Sequence, residues 1–167
     1  HRGSVGRERD DLFGGDELSS DEALVSEYCD VTVPITQHGE REHEEITAKF
    51  RSLSKSMLID PRLEEDADFV EDLRFLAGEV VDSWVRTRDD WLMVEPPSGS
   101  EDDHAIMVEA YELMAPSWRD ERVAVEAFLN TGDLDSAIQV MEERQASTVE
   151  LREAAEDLLA SAAYPCE

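Results

Sequence analysis

Cysteine, lysine and long hydrophobic runs are all scarce in this chain of 167 residues. Cys29 and Cys166 are its only cysteines. Two thiols so far apart offer neither a disulfide framework nor a zinc-ligand set, so the expectation is free thiols in a reducing compartment. Lys49 and Lys55 are the only lysines, and Lys plus Arg total 15 against 42 Asp plus Glu. Phosphate contacts need clustered bases, so direct nucleic-acid binding and attachment to an anionic membrane are both excluded as expectations. No apolar run approaches the roughly 20 residues that cross a bilayer. No basic region followed by a hydrophobic stretch opens the chain, and the expected location is cytoplasmic. His1-Arg2-Gly3-Ser4 lacks an initiating Met and reads as an expression remnant. Glycine and proline number only 8 and 6, which favours helices over many short strands.

The chemistry of catalysis is also thin. There is no Gly-x-Ser-x-Gly, no glycine-rich phosphate loop and no dinucleotide fingerprint. Cys29 lies between Tyr28 and Asp30, with no adjacent positive group to favour its thiolate. No cofactor is expected.

What is abundant is acid. The formal net charge is −27, and charged residues make up 34% of the chain. Such a charge repels itself and opposes the compact state. At about 1 M salt the screening length falls to about 3 Å and most of that penalty vanishes. Many acids with almost no lysine resemble the composition of proteins from salt-accumulating halophiles, and stability is expected to rise with salt. A second reading is a nucleic-acid mimic, whose carboxylates stand in for phosphates. Acid is spread along the whole chain, as solvent adaptation requires, whereas a mimic would concentrate it in one stripe. Residues 41–60 are the exception: Arg41, Lys49, Arg51 and Lys55 there balance Glu42, Glu44, Glu45 and Asp60.

Residues 1–18 are polar and read as a mobile N-terminal arm, in which Leu12 and Phe13 could dock. Ser19 and Glu22 form a capping box for a short helix near 20–29. Val31–Ile35 contains Pro34, which cannot donate to a ladder, and reads as an extended linker. Ile46, Phe50, Leu53 and Met57 make one stripe on a helix from about 39 to 58. Asp60-Pro61 begins a long central helix running to about 88, with Phe75, Val81 and Val85 widening its apolar face. Ser100 opens a helix that Pro116 ends, and Ser117 caps the next. Leu134, Ala137, Ile138 and Met141 begin the stripe of a last helix, which Gln145 and Thr148 interrupt. The predicted fold is all-α: a single-domain bundle of five to six helices over 19–162, with a tail at 163–167.

Two motifs carry functional expectations. Glu-x-x-His occurs twice, as Glu40/His43 and Glu101/His104, which is the spacing di-metal carboxylate bundles use. Phe128–Ile138, with Gly132-Asp133 and Ala137, resembles the inter-helix turn of a tetratricopeptide repeat. No period near 34 recurs, so the resemblance implies one helical hairpin. The leading functional expectation is a non-enzymatic interaction or adaptor domain that binds a protein partner or its own copy. Its candidate interface is Ile46, Lys49, Phe50, Arg51, Leu53 and Met57, with Trp91 and Trp118 as end-placed anchors. The alternatives are a di-metal enzyme or metal-storage bundle using His43 and His104, and the acidic mimic.

Overall fold

The computed structural model of the chain describes residues 19–166; the N-terminal arm with Leu12 and Phe13, and Glu167, lie outside them. Five α-helices follow in order: α1 Ser20–Ile59, α2 Ala67–Leu92, α3 Glu101–Ser117, α4 Arg119–Thr131 and α5 Leu134–Ser161. A short 3-10 turn, Pro61–Glu65, separates α1 from α2. There is no strand among the described residues, so the all-α class holds.

The helix boundaries follow local chemistry. Ser19 and Glu22 form the reciprocal capping box at the start of α1. Asp60 and Pro61 start only the 3-10 turn; Asp66 caps α2 by accepting from the Asp68 and Phe69 amides. Gly132 ends α4 at φ 63°, a left-handed position that favours glycine, and Asp133 caps α5. α4 and α5 form the single hairpin that the turn chemistry implies.

The largest correction concerns α1. The expected short helix, linker and second helix are one continuous helix of 40 residues with Pro34 inside it. An interior proline removes one backbone bond and costs about 3 kcal/mol. Tertiary packing offsets that cost, because Thr32 is fully buried and Ile35 packs on the core beside the proline. Phe75 is also corrected: it points away from the core and is 64% exposed. Pro116 lies within the last turn of α3 instead of ending the helix before it, and Ser117 is buried without capping α4.

α2 is the centre of the bundle and packs on α1, α3 and α4. Two apolar clusters line it. One gathers Phe50 and Met57 of α1, Leu73 and Val80 of α2, and Val125 and Phe128 of α4. The other gathers Tyr28, Trp84, Trp91, Met107 and Tyr111. Trp118, between α3 and α4, packs against both.

α1 and α2 lie close together at Gly39, which faces Thr87. A Cβ there would overlap the hydroxyl of Thr87 and lie 2.9 Å from its Cγ2. Thr87 is buried, and its hydroxyl donates to the Ser83 carbonyl, so it has no free rotamer to yield. Gly39→Ala should therefore destabilise the fold by about 1–3 kcal/mol, despite the roughly 1 kcal/mol that alanine gains in a helix. Thr87→Ala in the same chain should restore most of the loss, as read by urea unfolding of the two single variants and the double variant.

Candidate functional site

The second cluster ends in a clasp that corrects the expectation of free thiols. Cys29 and Cys166 form a disulfide, with Cα atoms 5.2 Å apart. Their separation of 137 positions hides the proximity, which arises because α5 returns along α3 and delivers the tail to α1. The residues read as a tail are docked. Tyr164 meets the Thr32 hydroxyl at 2.6 Å, and the Ala163 amide donates to Asp103 at 3.0 Å.

Neither histidine of the metal motifs sits among carboxylates. His43 lies tilted against Trp84, ring centroids 4.4 Å apart, and meets the edge of Trp118 at 4.7 Å. Its Nε2 accepts from the Trp84 indole at 3.2 Å. Since indole only donates, His43 carries its proton on Nδ1, which donates to Ser83 Oγ at 3.0 Å. Ser83 in turn donates to the Val80 carbonyl. Burial, with Arg152 and Arg51 adding to it, holds the His43 pKa down at about 4, so the ring is neutral. His104 lies in the other cluster, 2.8 Å from the Tyr28 hydroxyl, and burial lowers its pKa. Burial also pushes the Tyr28 phenol up to about 12. Glu40 and Glu101 are exposed while both histidines are buried. Among the described residues no group of three or more His, Cys, Asp or Glu side chains is arranged to hold a metal ion.

Of the expected interface residues, Ile46, Phe50, Leu53 and Met57 pack on the first cluster of their own chain. Trp91 is fully buried, which corrects its reading as an exposed anchor; α1, α3 and the docked tail enclose it. Trp118 is half-buried, with the Arg152 guanidinium 4.1 Å above its ring. Lys49, Arg51 and Lys55 are exposed.

The most site-like feature is a groove of about 400 Å³ between α1, α4 and α5. Side chains of α1 and α5 face one another across α4, as two walls over a floor. Each helix contributes positions i, i+3, i+4 and i+7, the side-chain row that lies along one helix face. The α4 floor is Glu121, Ala124, Val125 and Phe128; the α5 wall is Leu134, Ala137, Ile138 and Met141. The α1 wall presents Arg51, Ser54, Lys55 and Leu58, with Phe50 and Met57 beneath. Ile138 is 45% exposed and Leu58 58% exposed. A second recess of about 310 Å³ shares Glu121, Ile138 and Met141 and continues along α5 through Gln145 and Thr148 to Arg152. From Leu134 to Arg152 the α5 wall is about 27 Å long at 1.5 Å per residue.

Sequence reasoning placed Phe50, Arg51 and Met57 in an interface but read the α5 wall as core. In the structure α5 buries Ala137 and Ala155 and leaves its larger Leu134, Ile138 and Met141 exposed, an inversion of the expected stripe that the sequence does not signal. Glu121 is the one carboxylate on the floor. Burial raises its pKa, and it accepts from Arg152 at 3.4 Å. Another apolar patch, at Leu24, Val31 and Met93, is bordered by Glu27 and Glu95, and no cation lines it. No protein-family model, curated protein or solved structure matches this chain.

Proposed function

We propose that this chain is a non-enzymatic interaction domain whose groove between α1, α4 and α5 receives the apolar face of an amphipathic helix from a partner protein. The observation that carries the reading is the groove itself, in which exposed Leu58 of α1 and Leu134, Ile138 and Met141 of α5 stand over an apolar floor from α4. A helix with its side chains is about 10–12 Å across, and helix-in-groove recognition is read through i, i+3, i+4 and i+7 anchors. The groove offers the complementary rows on three sides. No helix of the described residues is long and apolar enough to cross a membrane, which fits a partner met in water. The disulfide suits an oxidising compartment and weighs against the cytoplasmic expectation.

A labelled 18-residue helical peptide with leucines at alternating three- and four-residue spacing provides the probe. Fluorescence anisotropy should show saturable binding. Ile138→Asp and Met141→Asp place charge on exposed positions of the wall, so the fold survives. Losing one well-buried apolar contact at about 2 kcal/mol should weaken binding at least about thirtyfold. Unchanged affinity in both variants contradicts the assignment of the groove.

A further inference from the structure

Resting on the groove as the binding site, we infer that its partner helix is acidic along one edge, with two carboxylates about one turn apart that meet Arg51 and Lys55. The inference comes from where this chain leaves its few cations. Arg62, Arg74, Arg86, Arg88, Arg144 and Arg152 all lie within 4 Å of a carboxylate. These are six of the twelve Lys and Arg side chains among the described residues; Arg41, Arg119 and Arg122 are unpaired, as are three bases grouped on α1. Among the described residues, Lys49, Arg51 and Lys55 form no ion pair, and all three are exposed on the C-terminal half of α1.

Two of these three are groove residues. Arg51 and Lys55 are four apart, one above the other on the α1 wall. In the 400 Å³ groove the one carboxylate, Glu121, is turned toward Arg152; the adjoining recess adds Glu142 and Asp120, the latter paired with Arg144. The lip of the groove is therefore positive on a protein whose net charge is −27. An acidic helix is repelled by most of this surface, and of the unpaired bases Arg51 and Lys55 alone line the groove, so charge selects site and register more than it adds affinity. A basic helix would be drawn to the acidic surface everywhere and gains nothing from this edge.

Three versions of the leucine peptide test the inference. They carry Glu, Gln or Lys at the two positions beside the apolar stripe, and anisotropy is read at about 0.15 M NaCl, where the screening length is about 8 Å. The Glu peptide should bind about five- to tenfold tighter than the Gln peptide, and the Lys peptide weaker than both, as expected for two partly exposed pairs. Arg51→Glu with Lys55→Glu should reverse the order. Both sites are exposed, and a helical circular dichroism spectrum confirms that the variant is folded. Equal affinity for all three peptides, still lost in Ile138→Asp, overturns the charge inference and leaves the groove standing. Absence of binding by every peptide overturns the groove itself. Sedimentation of the wild type as a dimer that Arg51→Glu with Lys55→Glu dissociates identifies the occupant as a second copy, and also overturns the inference.

Discussion

Removing the Cys29–Cys166 bond should lower the stability of this domain by up to about 5 kcal/mol. The cross-link spans 137 positions. In the chain-entropy description, closing so long a loop in the unfolded state gives a value of that size. For a domain of this length, 1 kcal/mol moves the melting midpoint by about 2–4 °C, so a fall of about 10–20 °C is expected. The loss starts at one end of the molecule. The bond joins the N-terminal half of α1 to the docked tail, where Tyr164 packs on Tyr28 and Trp91 and meets Thr32. In Cys29→Ser with Cys166→Ser, Trp91 fluorescence should redden below the global transition as that end frays. The groove lies on the other cluster and should keep its peptide affinity at 20 °C. Non-reducing mass spectrometry, two mass units below the reduced chain, checks the bond directly. A reduced chain that melts with the oxidised one would remove the clasp as a stabilising feature.

Acid should weaken the fold through His43 as pH falls from about 6.5 toward 4. Its pKa is about 4 in the native state, against about 6.5 for an ordinary histidine. A lowered histidine pKa means that the unfolded chain binds the extra proton. The neutral ring's contribution is therefore complete above about pH 6.5 and is lost as pH falls toward 4. Between pH 7.5 and 5 this amounts to about 2 kcal/mol, or about 4–8 °C in the melting midpoint. His104 shifts the same way. Glu121, raised by burial, acts in the opposite sense and trims the effect at the acidic end. Melting curves taken in 1 M KCl keep the surface repulsion screened. His43→Gln should be less stable at pH 7.5, because it disturbs the bonds to Ser83 and Trp84. It should also show a visibly flatter pH dependence. A variant with the wild-type slope would place the titration elsewhere.

The all-α class, the central position of α2 and the α4–α5 turn were legible in the sequence, since each rests on local rules of periodicity, capping and glycine geometry. The continuity of α1 was not. Pro34 correctly signals a local cost, and what outweighs it is packing around Thr32 and Ile35 by residues far away in the chain. The disulfide was hidden for the same reason. The basic cluster at 49–55 and the apolar residues beside it could be read from composition alone. Which of them face outward depends on how α1, α4 and α5 are placed around the groove, a property that no periodicity contains. His43 shows the reverse error: a Glu-x-x-His spacing suggested a ligand, and the ring is a neutral core residue bonded to Ser83 and Trp84.

Amide hydrogen exchange, measured with and without a saturating amount of the Glu-bearing amphipathic peptide, tests the groove most directly. A helix seated between α1, α4 and α5 covers three separated stretches of chain at once. Exchange should slow together at residues 50–58, 121–128 and 134–141, which carry the groove wall and floor. It should stay unchanged over the first two turns of α3 and in α1 around Leu24 and Val31. Protection confined to the patch at Leu24, Val31 and Met93, or absent from all three groove stretches, would contradict the account.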